Sequence, residues 1–354
     1  MTGTIDEARL DSFLHQMVGH MTGAALCFGV LLGEELGLYR ALAGAGPLTA
    51  DALADKAGCN RRLTREWLDG QAAAGLVGSD PAAGSYELSA EAAAVLADDT
   101  SPAFVARGMT AIASVFVDHD KIGAAFRGDG GLRWGEHDPL LFSGTEWFFR
   151  TGYRTFLPEW LLAMDGVDAK LRSGGTVADV GCGHGASAVV MAQTYPAATV
   201  RGFDYHLPSV QTARARAAEA GVADRATFEV AAAKDYPGRY DLICFFDCLH
   251  DMGDPEGTAR YAREHLEPDG SVLLVEPFAI DDKNANLTEN PLAAMFYTVS
   301  SAICTPNSLS QEVASGLGAQ AGEERLRRVF QQAGYSRFGR VAETPMNLIL
   351  EARP

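Results

Sequence analysis

The chain is 354 residues long and carries 29 Lys and Arg against 46 Asp and Glu, a formal net charge of −17. That balance argues against a general attraction to nucleic acid or to an anionic membrane surface. With 47% apolar residues, the length supplies ample material for the cores of two domains.

The first residues, Met1-Thr2-Gly3-Thr4-Ile5-Asp6-Glu7, show neither a basic stretch nor an apolar one, so no signal peptide is expected. Residues 7–44 read as helical, with Leu10, Phe13, Leu14 and Met17 on one stripe and Leu26, Val30, Leu31, Leu36 and Leu38 later. The apolar run 21–33 stops at Glu34-Glu35 and is too short to span a bilayer. A helix this apolar needs a partner face, and a second subunit supplies one, so a homodimer is expected. The six cysteines (27, 59, 182, 244, 248 and 304) are scattered. Cys244 and Cys248 form a C-x3-C pair only along a buried strand and its end. Free buried thiols and a reducing, cytoplasmic location follow.

Residues 47–90 spell a small module. Thr49 is placed to cap a helix reaching Ala57, with Gly58 after it, and Asn60 to cap a second, 61–74, ending at Gly75. A short strand over 85–89 follows the turn at Asp80-Pro81, which completes a helix–turn–helix–wing pattern. The second helix begins Asn60-Arg61-Arg62 and carries Arg65, so DNA binding is one reading. Residues 47–100 hold four basic side chains against nine acidic ones, however, which opposes phosphate contacts. Dimerisation is the better use of the module. Residues 101–172 read as mostly helical and aromatic, broken by a loop at 128–139. Phe149 and Tyr153, one helical turn apart, are placed to reach a pocket.

From Thr176 strand and helix alternate, at 176–180, 199–204, 226–230, 241–246, 271–276, about 337–342 and 346–352, which predicts a mainly parallel sheet covered on both faces. The chain therefore divides into a helical and winged-helix domain (1–100), a helical lid (101–172) and an α/β domain (173–354). Ligands of such sheets bind beyond the carboxyl ends of the strands, where Asp179, Asp204, Asp247 and Glu276 fall. Asp179-Val180-Gly181-Cys182-Gly183-His184-Gly185 is a strand running into three alternating glycines that open a helix over 186–195. Glycine admits positive φ and lets the backbone approach a ligand closely. Asp204, about 20 residues on, can accept both ribose hydroxyls. Gly181-x-Gly183-x-x-Ala186 also satisfies a dinucleotide fingerprint, leaving a nicotinamide enzyme open. Asp179 argues against it, because a carboxylate there repels a pyrophosphate and suits a cation.

Residues 177–185 resemble motif I of the class I S-adenosylmethionine (SAM)-dependent methyltransferases, Asp/Glu-x-Gly-x-Gly-x-Gly. The resemblance implies a Rossmann-like sheet with an antiparallel last strand, and a loop that wraps the amino acid end of SAM while Asp204 holds the ribose. It places Cys182, Tyr205, Phe246, Asp247 and Tyr153 beside the cofactor. Phe246-Asp247-Cys248-Leu249-His250-Asp251-Met252 is similar to the His-Asp-Trp segment of the plant-type O-methyltransferases, which also carry a winged-helix dimerisation domain. In both, an aspartate starts the strand nine residues before the histidine, here Asp241. Bacterial two-domain methyltransferases with the same Leu-His-Asp-Met segment are closer still. The resemblance makes His250 the general base for a substrate hydroxyl, a task that suits an imidazole. It makes Glu276 the carboxylate that steadies it. The family's second Glu falls at Gln320 by counting back from Ala333-Gly334-Tyr335, or at Glu324-Arg325 if the loop is shorter. Where the family has an Asp for adenine this chain reads Ala231-Ala232-Ala233, leaving the backbone of Ala232 and Ala233, or Asp235, to serve. His184 is expected only to touch SAM.

The expected function is methyl transfer from SAM to a hydroxyl of a small, fairly apolar acceptor, walled by helices from 101–165 and 291–304 (Leu292, Met295, Phe296, Val299). No metal is expected, since Asp247, His250 and Glu276 lack ligand spacing. The alternatives are a SAM-binding winged-helix regulator, a methyltransferase-fold enzyme without net methyl transfer, and a nicotinamide oxidoreductase.

Overall fold

A computed structural model describes residues 4–128 and 130–354. Residues 1–3, at the head of the first expected domain, and residue 129, in the expected 128–139 loop, lie outside it. The chain separates into two compact units, Met1–Ala113 and Ser114–Pro354. The helical stretch 101–172 is thus divided between them instead of forming a body of its own, because its later helices pack on the sheet.

In the first unit helices α1 (Glu7–Glu35) and α2 (Leu38–Leu42) precede strand β1 (Leu48–Thr49), α3 (Ala50–Ala57), α4 (Arg61–Ala73), β2 (Gly78–Asp80), β3 (Ser85–Glu87) and α5 (Ala90–Leu96). The wing is three-stranded, in the order β1-β3-β2. Its helix starts are where the sequence puts them. Thr49 Oγ accepts the Ala52 N–H, Asn60 Oδ1 accepts those of Arg62 and Leu63, and Gly58 closes α3 at φ 68°. The four basic side chains of the module are all engaged: Arg61 with Asp55, Arg62 with Glu66, Arg65 with Asp51, and Lys56 on the Ala41 carbonyl.

Helix α1 is longer than the 21–33 run indicates. It has 29 residues and, by length and composition alone, is apolar enough to cross a membrane. Its last turns are tied into the unit: the Trp67 indole donates to the Gly29 carbonyl at 2.8 Å, and buried Glu34 pairs with Arg40 and Arg107 at 2.7 and 2.6 Å. The earlier stripe is open, with Phe13 59% and Leu14 54% exposed.

The second unit is built on a seven-stranded sheet. Its strands are β4 (Thr176–Val180), β5 (Thr199–Asp204), β6 (Ala226–Val230), β7 (Tyr240–Phe246), β8 (Leu266–Pro277), β9 (Arg337–Glu343) and β10 (Asn347–Arg353), in the order β6-β5-β4-β7-β8-β10-β9. Only β10 runs against the others: it pairs antiparallel with both β8 and β9, while β4, β5, β6, β7 and β8 pair parallel. The central strands read Val-Ala-Asp-Val and Leu-Ile-Cys-Phe-Phe because both sheet faces are covered, and Val177, Ala178, Val180, Ile243, Cys244 and Phe245 are all buried. Its helices are α7 (His119–Arg127), α8 (Pro139–Ala163), α9 (Val167–Arg172), α10 (Ala186–Thr194), α11 (Leu207–Glu219), α12 (Pro255–Glu264), α13 (Lys283–Glu289), α14 (Ala293–Ala302), α15 (Cys304–Leu309) and α16 (Gly322–Gln332), of which α8, α10, α11, α12 and α16 pack against strands of the sheet, while α6 (Met109–Val117) spans the boundary between the units. Asp241 sits at the start of β7, where its carboxylate accepts the Thr176 N–H at 2.8 Å and pins β7 to β4 at the edge away from the glycines.

Losing the Asn60 cap leaves two N–H groups of α4 unpaired. Asn60→Ala should cost about 1 kcal/mol of stability in thermal melts, and Asn60→Asp should restore most of it.

Candidate functional site

The strand order reverses at β4, so β4 and β7 leave a crevice at their carboxyl ends. Into it turns the bend Gly181–Gly185. Gly181 and Gly185 both have φ 76°, and a side chain on either would collide, with Cys248 Sγ at 2.8 Å or the Phe228 ring at 2.8 Å. A Cβ on Gly183 would meet nothing within 4 Å, so there the backbone faces open space.

Two cavities meet at Gly181, Asp204 and Met252. One, of about 140 Å³, runs from the bend toward α8 and is lined by Cys182, Gly183, His184, Phe246, Asp247 and Tyr153 among others. The second, of about 420 Å³, extends past Tyr205 along Ala231, Ala232 and Ala233. Asp235 is exposed, its N–H on the Ala232 carbonyl, and lines neither. Asp204, at the junction, accepts the Gly183 N–H at 2.9 Å and the His206 N–H at 2.8 Å, which leaves lone pairs for further donors.

The electrostatics of the first cavity are one-sided. Asp179 is buried on β4; Ser187 donates to its Oδ2 at 2.6 Å, and Oδ1 has no hydrogen-bond partner among the described residues. Burial, helped by the Asp204 charge, pushes its carboxyl up to about 7. Asp204 is raised by burial as well. Asp247 accepts the Tyr153 hydroxyl at 2.8 Å and the Asn347 amide at 2.7 Å, and burial with the Glu276 charge lifts it to about 8. Burial raises Asp251 to about 7 despite the His250 charge. Asp204, Asp247 and Asp251 line this cavity and Asp179 lies behind its Ser187 wall, and a ligand carrying ammonium and sulfonium charges would meet their charge. The orphaned oxygen of Asp179, the open face at Gly183 and the acid at Asp204 fit a cationic nucleoside and do not fit a diphosphate.

His250 stands behind this cavity, in the single helical turn Leu249–Asp251 that follows β7. Its Nδ1 lies 2.5 Å from Glu276 Oε2, and Glu276 Oε1 accepts the Leu249 and His250 N–H groups at 3.1 and 3.3 Å. Burial opposes a charged imidazole, but the Glu276 charge, with the Cys304 thiol on the ring as well, raises it well above 6.5. The residue is 3% exposed and lines neither cavity. Neither candidate for a second carboxylate meets it. Gln320 is tied to Asn286 and the Phe278 carbonyl, and Glu324 is exposed, its N–H on Asp281. Of the expected acceptor wall, Phe149 and Tyr153 line the first cavity. Leu292, Met295, Phe296 and Val299 do not, and Val299 packs into the core beside Ile303 and Cys304.

Sequence reasoning missed Glu146, a buried carboxylate on α8 that lines the first cavity and binds His184 Nδ1 at 3.1 Å and Arg216. A lone Glu within the aromatic run Thr-Glu-Trp-Phe-Phe was the available signal. It also missed Asp251 and Met252, whose cavity positions follow from the helical turn after β7.

The raised Asp247 carboxyl binds more protons folded than unfolded, so its contribution is present below its ordinary 3.8 and lost as pH rises through about 8. Asp247→Asn, which keeps an acceptor for Asn347, should therefore raise the melting temperature of the ligand-free protein at pH 9, raise it less at pH 6, and leave it nearly unchanged at pH 4 and below.

A family model described as "Methyltransferase domain" matches residues 150–336, just over half of the chain, and one described as "Rv2258c-like winged HTH domain" matches 24–98. Among curated relatives, the 27-O-demethylrifamycin SV methyltransferase of Amycolatopsis mediterranei is 36% identical over 107 residues, 29% of this chain and 39% of its own length. A ubiquinone biosynthesis O-methyltransferase of Escherichia coli is 36% identical over 104 residues, 28% of this chain and 42% of its own. The chain thus spans about two-fifths of the length of these relatives. Similar solved structures include the mitomycin 7-O-methyltransferase, with TM-score 0.69 and 20% identity, covering 99% of this chain and 100% of that one. Human N-acetylserotonin methyltransferase in complex with SAM has TM-score 0.71 and 18% identity, covering 100% and 99%. Sheet order, acid-flanked glycine bend and family match agree: the chain belongs to the methyltransferase-domain family and has the SAM-dependent methyltransferase fold behind a winged-helix domain.

Proposed function

We propose that this chain transfers the methyl group of SAM to a hydroxyl of a small molecule, with His250 as general base. The observation that carries the reading is the buried His250–Glu276 pair, held one residue from cavity-lining Asp251 at the carboxyl edge of the sheet. SAM, when bound, supplies a methyl group on a sulfonium that is already a good leaving group. Asp179 and Asp247 balance its positive charges, the bend from Gly181 to Gly185 cradles its amino acid end, Asp204 takes the ribose, and Tyr205, Ala232 and Ala233 border the adenine. Trp134, Phe142 and Phe149 give the acceptor an apolar wall. In the productive complex the acceptor hydroxyl takes the place of the Cys304 thiol on the imidazole, which removes its proton. Catalysis then rests mainly on alignment of that oxygen with the methyl. The relatives named for O-methylation favour a hydroxyl over an amine.

The chain is further read as a cytoplasmic homodimer. All six cysteines are free thiols. The open stripe of α1 is interrupted by Glu7, Arg9, Asp11 and His15, which favours a second helix over lipid as its cover. The paired arginines of α4 support dimerisation over DNA as the use of the winged helix.

His250→Ala should lower turnover by roughly 10²–10⁴-fold and leave calorimetric affinity for S-adenosylhomocysteine unchanged; turnover within about threefold of the parent would remove His250 from the mechanism. Because Glu276 favours imidazolium, kcat/KM should fall on the acid side with a midpoint above 6.5. Glu276→Gln leaves only burial, which favours neutral imidazole, and should move that midpoint to lower pH. Replacing Phe13 and Leu14 together by Glu should halve the mass seen in sedimentation, and an unchanged mass would exclude α1 from the dimer contact.

A further inference from the structure

The wall of the first cavity is one-sided in what it offers a zwitterionic ligand. Asp204, Asp247, Asp251 and Glu146 line it, and no Lys or Arg does among the described residues. His184 is the one side chain on that wall able to carry positive charge. It stands within the glycine bend, next to Gly183, where a Cβ would meet nothing within 4 Å. The pair it forms is sheltered: the His184 side chain is 11% exposed and that of Glu146 3%. Glu146 reaches the ring from α8, with Oε2 3.1 Å from Nδ1. Arg216 on α11 pairs with the other Glu146 oxygen, and Arg150 lies 3.8 Å from it. An ionised carboxylate only accepts, so Nδ1 carries the hydrogen of that contact. Nε2 has no hydrogen-bond partner among the described residues. The Ser187, Ser209 and Tyr153 hydroxyls on the same wall are engaged, with Asp179, His206 and Asp247.

We propose that His184, positioned by Glu146, receives the α-carboxylate of the cofactor's amino acid end and makes the site selective for ligands that carry it. SAM bears one negative group beside its ammonium and sulfonium, and the acids of this cavity suit only the positive ones. A carboxylate set among them without a cation is repelled by like charge. On Nε2 it completes an imidazolium that donates from both nitrogens, to Glu146 on one side and to the ligand on the other. Arg216 offsets the Glu146 charge from behind, so the clamp brings the cavity no further unpaired negative charge. Because Glu146 belongs to α8, the same contact ties the carboxylate subsite to the helix that carries Phe149 and Tyr153. That role rests on the cofactor orientation proposed above, amino acid end at the bend and ribose at Asp204, and is independent of His250 and of the acceptor.

The test is calorimetry of the full chain with three ligands. They are S-adenosylhomocysteine, 5′-deoxy-5′-(3-aminopropylthio)adenosine, which lacks only the carboxylate, and 5′-methylthioadenosine, which lacks the amino acid altogether. The parent should prefer S-adenosylhomocysteine to the aminopropyl analogue by about tenfold or more. His184→Asn keeps a donor for Glu146 and removes Nε2. It should shrink that preference to within about threefold by weakening S-adenosylhomocysteine alone, and its retained affinity for the analogue shows that it is folded. If this variant binds none of the three, His184→Ala carries the same comparison. Glu146→Gln, which keeps an acceptor without its charge, should give an intermediate preference, and an unchanged one would remove Glu146 as the positioning residue. A preference unchanged in the His184 variant, or equal losses for both ligands, would overturn the proposal. Asp204→Asn separates this from the orientation beneath it, and should weaken all three ligands. Undiminished binding of methylthioadenosine there sinks the orientation, whereas that loss together with an unchanged preference in His184→Asn strikes His184 alone.

Discussion

The constraint on which the site depends is a deficit of positive charge. Asp179, Asp204, Asp247 and Asp251 are brought together at the carboxyl ends of three strands, and each is held above the usual carboxylate range by burial. Burying ionised groups without partners is expensive, and proteins escape by protonation or by binding a counter-charge. Here Asp179 retains an oxygen with no hydrogen-bond partner among the described residues. A cationic ligand in this crevice would relieve the deficit.

The geometry that creates the deficit also divides labour around His250. Glu276 reaches the imidazole from β8 and secures the backbone of the turn that carries it, so one carboxylate fixes both the ring and its support. Tyr153 and Asn347 do the same for Asp247, from α8 and β10. Asp247 has φ 50°, which for a non-glycine residue costs energy and persists only where neighbours enforce it. Three elements distant in sequence thus converge on the link between β7 and the His250 turn.

Much of the α/β unit is legible in the sequence because its signals are local. Strand lengths come from apolar runs bounded by Gly and Asp, and helix starts from Thr49, Asn60 and the glycine bend. The winged helix is legible for the same reason, although β1 and β2 carry too few residues to show a period. What eludes the sequence is set by side chains meeting across long separations. Glu146 finds His184 38 residues away and Asn347 finds Asp247 100 residues away, and no spacing rule connects either pair. The helical reading of 7–44 covers α1, whose Gly19, Gly23 and Gly29 weaken a helix without interrupting it. The cover over His250 was hidden too, because Cys304 gives no sign in the sequence of where its thiol lies.

The placement of β10 has a consequence for the order in which this molecule can be assembled. Strand β9 is made before β10 yet pairs with the sheet only through it, so β9 has no docking edge until its successor inserts beside β8. While the chain emerges from the ribosome, the parallel strands can associate, but Asn347 has yet to reach Asp247 and water still solvates that carboxylate. Of the acid cluster, Asp247 therefore gains its Asn347 partner only once β10 has inserted beside β8.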